Sequence, residues 1–387
     1  MLGHIATDLN QGALPALLPF LIKAHGMGYA SAAGLIFASS LVSSVVQPLF
    51  GHLGDKFEHP KLMCLGVILA SAGIGLMGFF DDYAVMFVLA MITGIGVALF
   101  HPEASKHAVY VSGENKGESM GTFAVGGNIG FTVGPIACSV LLLTFGLKGT
   151  LGFIVIGIAM TAILLFQIPH IQAAGEGNRI RRSSPEFYQK DDWPSFVKVT
   201  LAMFCRAIVG TCMSTFVTLF FIDVLMQSVA VGNTMLSVFA VAGAIATYFG
   251  GKLSDVVGFK RMVMICSVAV VPFLFLIVFT TNPVVAAIVG VMICLTLNGC
   301  HTTLIVMGQS FLPHRLGLAS GVMYGLTVSV GGMAAPLIGL VADDRGIPAG
   351  MFIIACVSVV ALVFALIIPD IRGIPREGEP RINDGPS

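Results

Sequence analysis

The chain has 387 residues, of which 56% are hydrophobic and 10% charged, with 20 acidic and 20 basic side chains and a formal net charge of zero. Soluble domains carry about 25% charged residues, and a mean hydropathy of +0.94 leaves too little polar surface to cover a globule in water. Lipid is therefore the solvent for most of the chain; the neutral balance by itself argues neither for nor against nucleic acid, and none is expected as a partner.

A helix needs about 20 apolar residues to cross the hydrocarbon core. Twelve runs of that kind are read, at 3–23, 30–51, 62–80, 83–105, 117–145, 150–169, 196–222, 230–251, 262–280, 284–311, 316–341 and 348–369. No cleavable signal-peptide pattern precedes the first. Most connections are short. The longest, 170–195, is polar and divides the chain into an N-terminal half (1–169) and a C-terminal half (196–369), followed by a tail (370–387). The eight cysteines lie in apolar stretches at spacings of neither a zinc site nor a disulfide framework.

The first run carries His4, Asp8 and Gln11. The second ends in GHLGDK, whose Gly51, Leu53 and Asp55 return two hundred residues later as Gly251, Leu253 and Asp255. The fourth ends in Phe100-His101-Pro102-Glu103, and His101 returns as His301 in the tenth. In the fifth, Gly117, Gly121 and Pro135 correspond to Gly317, Gly321 and Pro336 of the eleventh, with a one-residue slip before the proline. This collinear series describes two similar halves, a mark of secondary transporters.

Lysine and arginine set the orientation. With both termini cytoplasmic, the inner segments hold sixteen of the twenty, the outer loops hold Lys23, Lys148 and Arg345, and Arg206 alone sits inside a span. The expectation is an all-α membrane protein of twelve transmembrane helices in two six-helix pseudo-symmetric halves.

Six plus six spans with a duplicated G-x-L-x-D loop resemble the major facilitator superfamily. Lys56, Lys260 and Arg261 follow the loops as the superfamily's pattern requires, while Glu58-His59-Pro60 departs from it in the first copy. Gly121, Gly130, Gly134 and Pro135 resemble the superfamily's antiporter motif in span 5, with Cys138 and Ser139 in place of its final glycine pair. The motif's association with exporters implies efflux. The arginine usual ahead of G-x-G in span 4 is replaced by Ala90. His4, Asp8 and Gln11, the FHPE stretch, Gly126-Gly127-Asn128, and Leu312-Pro313 with Arg315 and Gly317 resemble, more narrowly, the fosmidomycin resistance protein family of bacterial efflux pumps. The resemblance implies a multi-pass protein of the bacterial inner membrane, with spans 1, 4, 7 and 10 lining a central cavity.

A charge deep in the bilayer normally faces a cavity or a partner. His4 and Asp8, four apart, share a helix face. They are either an internal packing pair or a proton site tuned by burial. Glu103 is either a second proton site or an interfacial partner of Lys106. His101 and His301 are either core histidines or substrate contacts. Arg206, near the midplane, would meet an anionic substrate group, Asp8 or Glu103, with Gln11, Asn128 and Asn298 as hydrogen-bonding lining. By the superfamily's arrangement, Asp55 would reach the start of span 11 near Arg315 and Gly317, and Asp255 the start of span 5. Gly51, Lys56, Gly251 and Arg261 complete these inner latches.

The resulting reading is a proton-coupled exporter of small molecules or drugs, fosmidomycin-like anions among them, that works as a monomer with no cofactor. The alternatives are a proton-linked importer of a small organic anion, or a divalent-metal transporter using His4, Asp8, His101, Glu103 and His301. No H-E-x-x-H or comparable spacing supports an enzyme.

Overall fold

The computed structural model describes residues 1–27, 29–57, 59–113, 115–183 and 190–371. Glu58 of the departing loop and Arg372, Arg376 and Arg381 of the tail lie outside them. Twelve helical segments run in chain order: α1 Leu2–His25, α2 Tyr29–Phe57, α3 Lys61–Met77, α4 Tyr83–Val111, α5 Lys116–Phe145, α6 Leu151–Ser183, α7 Trp193–Val224, α8 Val229–Val257, α9 Phe259–Phe279, α10 Pro283–Phe311, α11 Leu316–Arg345 and α12 Ile347–Ile367. Among them, α6 runs on through the first part of the expected linker.

Among the described residues, nine stretches pass as spans on length and apolar content, one running through both α5 and α6. Two segments fall outside that set. α3 is short, and α1 carries His4, Asp8, Asn10 and Gln11, each buried or partly withdrawn from solvent. Polar groups at such depth need internal partners, so α1 must lie inside the bundle.

Among the described residues, three helices depart from regular α geometry. α7 ends in a π-helical turn at Phe220–Val224, α11 contains another at Val322–Leu326, and α10 is interrupted at Cys300 between Gly299 and His301. Starts are set by side-chain caps. Asp82 accepts from the Val85 amide, Asp192 from Ser195 and Asn282 from Val284, at 3.1, 3.0 and 2.9 Å. These satisfy amide groups that the first helical turn leaves free. The α8–α9 turn is the single residue Gly258 at φ +98°, a conformation other residues reach only with strain.

The core falls into three apolar clusters. One joins both halves, from Ala6, Val67, Phe100 and Met120 to Met203, Val263, Leu304 and Met323. The second contains only C-terminal-half residues, including Cys212, Phe220, Leu274 and Ile354. The third contains only N-terminal-half residues, including Leu17, Ile74, Met86 and Leu142. The halves thus share one core at the end bearing the G-x-L-x-D loops and keep separate cores toward the other end.

Candidate functional site

His4, Asp8 and His101 converge. Glycines on α5 let α1 lie directly against it. A Cβ at Gly130 would sit 2.6 Å from the Ile5 carbonyl, and one at Gly134 would collide with the Leu9 carbonyl. A Cβ at Gly127 would stand 2.7 Å from both Asp8 Oδ2 and His4 Nε2. Gly130 and Gly134 are therefore close-packing positions, and Gly127 is a wall of the site. Gly121 faces α8 instead, and Pro135 lies within α5.

His4 Nε2 is 3.1 Å from Asp8 Oδ2, His101 Nε2 is 3.1 Å from Asp8 Oδ1, and the two Nε2 atoms are 3.0 Å apart. All three side chains are buried, at 3%, 3% and 6% exposure. The other ring nitrogens fix the chemistry. His4 Nδ1 lies 2.7 Å from the Phe123 carbonyl and His101 Nδ1 lies 3.0 Å from the Val97 carbonyl. A carbonyl only accepts, so each Nδ1 carries the hydrogen and donates it. Neutral rings would then aim two bare Nε2 lone pairs at each other and at a carboxylate. That arrangement is repulsive until a proton enters it. The ligand atoms lie within 4.8 Å of one another, near enough for one small cation. Separations of 3.0–3.1 Å are hydrogen-bond lengths, so a proton fits without rearrangement.

Glu103 goes elsewhere. Its Oε2 is 2.8 Å from Lys106 Nζ and its Oε1 is 3.5 Å from His107 Nδ1, and Lys106 donates to the Gly54 carbonyl at 2.9 Å. Glu103 and Lys106 are 3% and 1% exposed. This buried pair abuts the first G-x-L-x-D loop, where a Cβ at Gly54 would stand 2.7 Å from Glu103 Oε2. The geometry is that of the Lys106-partner alternative.

Arg206 does not meet Asp8 or Glu103, the acidic partners expected from the sequence. Its Nε donates to the Leu297 carbonyl and its Nη2 to Asn298 Oδ1, both at 2.8 Å. It lines a small cleft within the C-terminal half, with Cys266, Thr296, Cys300 and Ser358. The reason is local: the interruption of α10 at Cys300 leaves the Leu297 carbonyl open to Arg206, and Asn298 adds its side-chain oxygen beside it. His301 is half-buried, with Nδ1 unpartnered. Described hydrogen bonds join neither His301, Gln11 nor Asn128 to the His4–Asp8–His101 cluster, and Asn128 is exposed.

The loop aspartates cross between halves. Asp55 accepts from the Gly317 and Leu318 amides at 2.7 and 2.9 Å, and Asp255 from the Gly117 and Glu118 amides at 2.8 Å each. Both carboxylates cap a helix N-terminus, where the free amides and the helix dipole favour negative charge. Gly51 and Gly317 face each other so closely that a Cβ on either would collide with the other's carbonyl, and Gly251 and Gly117 do the same. Arg315 binds Asp191 at 3.1 Å and lies over the Trp193 ring rather than reaching Asp55. Lys56 and Arg261 are exposed.

Three features escaped the sequence reading. Gln309 Nε2 donates to Ser105 and Ser320 at 2.8 Å each, a buried polar bridge between the halves. Tyr324 of α11 lays its ring against His101 and His4, with centroids 5.8 and 6.5 Å apart. Lys106 is fully buried. Only Lys106 left a signal, as a lysine three residues after a glutamate within an apolar run.

The family model described as Major Facilitator Superfamily matches residues 1–336 and 199–384. The fosmidomycin resistance protein of Escherichia coli (strain K12) is 26% identical over 385 residues, covering 96% of this chain and 92% of that protein. The MFS-type transporter YfnC of Bacillus subtilis (strain 168) is also 26% identical, over 95% of this chain and 91% of its own. In fold, the chain is similar to the transporter FucP in its outward conformation, with TM-score 0.72, 16% identity and coverage of 95% and 98%. It is likewise similar to the human organic anion transporter MFSD10, with TM-score 0.74, 15% identity and coverage of 94% and 97%.

Proposed function

The chain belongs to the Major Facilitator Superfamily, and from that premise we propose that it is a proton-coupled exporter of small molecules in the bacterial inner membrane. The observation that carries this reading is the His4–Asp8–His101 cluster, whose Nδ1 bonds to backbone carbonyls turn both Nε2 atoms and the carboxylate toward one another at hydrogen-bond distance. The 26% identical fosmidomycin resistance protein supports efflux of a compound of that kind. A phosphonate would suit the Arg206 guanidinium and His301 Nδ1, which has no hydrogen-bond partner among the described residues.

With both termini in the cytoplasm, the joined end of the molecule is the inner gate and this is the outward-facing arrangement. Substrate leaves to the outside, and a proton entering by the same route settles among His4, Asp8 and His101. The added charge removes the attraction that Asp8 exerts on its surroundings, and the inner gate opens by release of the Asp55 and Asp255 contacts. The proton then departs to the cytoplasm as new substrate binds on the Arg206 and His301 side. Lys56, Arg261 and Arg315 flank this gate.

Inverted vesicles test the reading. Fosmidomycin accumulation should follow an imposed proton gradient and collapse when an ionophore dissipates it. Accumulation that persists without the gradient would refute coupling. The divalent-metal reading is separated by metal content: stoichiometric zinc, cobalt or nickel in protein purified without chelators would replace the proton at this cluster.

A further inference from the structure

The two-hundred-residue offset relates His101 to His301, Gly117 to Gly317 and Gly121 to Gly321, so a contact in the shared core can be set beside its mate in the other half. Beyond Gly321 the offset slips by one, in the interval where α11 makes its π-helical turn. The two latches match. Asp55 holds the Gly317 and Leu318 amides at 2.7 and 2.9 Å, and Asp255 holds those of Gly117 and Glu118 at 2.8 Å each. α2 packs on α11 at the first, and α8 on α5 at the second. The layer next to them does not match. On the α2–α11 side, Gln309 of α10 donates to Ser105 of α4 and Ser320 of α11 at 2.8 Å each, all three side chains being buried. Their mates at the same offset are Val109, Ile305 and Met120, all buried and all in the shared apolar cluster.

The two sides therefore meet water differently. Where the polar side parts, a hydrogen bond between the halves is exchanged for hydrogen bonds to water, at little net cost. Gln309 Oε1 and Gln47 Nε2 are buried without a hydrogen-bond partner among the described residues, and Gln47 of α2 lies against α11 at Gly325. Such groups gain when water arrives. Glu103 and Lys106, buried beside the Asp55 loop, regain hydration as well. Where the other side parts, Val109, Met120 and Ile305 are laid bare, at a cost that grows with the apolar area exposed. Thr247, the mate of Gln47, keeps its hydroxyl on its own helix, 2.8 Å from the Gly243 carbonyl.

We propose that the joint between the halves yields one side at a time: cytoplasmic water breaches it first along the α2–α11 side, through the Gln309 bridge, and the α5–α8 side holds last. Both sides must part for transport. The order goes beyond the exporter reading and rests on it only for which end of the molecule is the inner one; it requires neither a particular coupling ion nor a particular substrate. Ser105 lies one turn of α4 from His101, so the breach ends beside the His4–Asp8–His101 cluster, whatever cation that cluster carries.

Hydrogen–deuterium exchange in nanodiscs, corrected for intrinsic rates, reads both latches in one sample. Segment 313–321 contains the amides bound by Asp55, and segment 113–121 those bound by Asp255. In wild type, 313–321 should exchange about tenfold faster, a difference of the size that one or two hydrogen bonds make. Ser105→Ala, Gln309→Leu and Ser320→Ala combined give this side the dry character of the other and leave no half of the bridge behind. That triple variant should slow 313–321 to the rate of 113–121 while melting within a few degrees of wild type. If the bridge is instead a clamp, the same variant exchanges faster at 313–321, and that result overturns the proposal. An unchanged rate removes Gln309 from it. A wild type whose two segments exchange alike, or in which 113–121 leads, overturns it without any variant. None of these results bears on efflux driven by a proton gradient, which vesicles read separately.

Discussion

At the scale of single residues, burial without water decides what each charge can do. Asp8 is enclosed by two imidazoles whose Nδ1 hydrogens are committed to backbone carbonyls, so its partners at Oδ1 and Oδ2 are the Nε2 atoms. Asp8→Asn keeps the shape and removes the charge. It should abolish gradient-driven efflux, by about a hundredfold or more at the upper range of such couplings, while purified yield and melting temperature stay near wild type. Efflux unchanged in inverted vesicles would remove Asp8 from the mechanism. Glu103 poses a different problem, because its short contact is to one ammonium, with His107 farther off at 3.5 Å. Lys106→Met would leave a buried carboxylate without that ammonium, at a cost of about 3–5 kcal/mol, read as a lower melting temperature in detergent. Adding Glu103→Gln should recover most of that loss. A double variant no more stable than Lys106→Met would show that Lys106 acts through its bond to the Gly54 carbonyl instead.

At the scale of elements, glycines set which helices can touch. α1 sits on α5 because Gly126, Gly127, Gly130 and Gly134 remove the side chains that would hold it off. Small residues at such contacts substitute for the hydrophobic drive that lipid does not supply. The same device serves the joint between the halves, where Gly51 meets Gly317 and Gly251 meets Gly117. Gly51→Ala places a methyl group against the Gly317 carbonyl. Its expected effect is to separate α2 from α11 and shift the population toward an open inner gate. Segment 313–321 should then exchange about tenfold faster at neutral pH, and exchange equal to wild type would show that the backbone yields. The two latches also differ. Lys106 and Glu103 back the Asp55 loop from α4, whereas beside Asp255 the cross-half support is an exposed Lys252–Glu118 pair at 3.5 Å, a contact of small worth.

At the scale of the whole molecule, the three apolar clusters describe two halves, each with its own core, joined by a shared core at one end. Alternating access requires that the shared cluster part and that another form at the opposite end. Cysteines introduced at Glu118 and Lys252 and bridged by a short bis-thiol reagent should hold the inner gate shut. Efflux should fall to background and return on cleavage of the bridge. Full cross-linking with undiminished transport would rule out separation of the halves at this end.

Composition and period carried the architecture because a bilayer permits few solutions. About twenty apolar residues in a row must be a helix, and a collinear repeat must be two like halves. Asp8 and His4 of α1 were legible for the same reason, since an ionisable group in lipid needs a purpose. Their meeting with His101, the diversion of Glu103 to Lys106 and the turn of Arg206 toward Leu297 and Asn298 were not legible. Each depends on which face a helix presents to neighbours far along the chain. The proline slip lay in the sequence as a misfit of one residue, and only the folded helix shows it as the π turn that carries Tyr324 across to the other half. Sequence determined the all-helical membrane architecture, the duplication and the buried charges other than Lys106. Tertiary structure decided their pairing, because hydrogen bonds a few ångströms long join residues up to 263 positions apart.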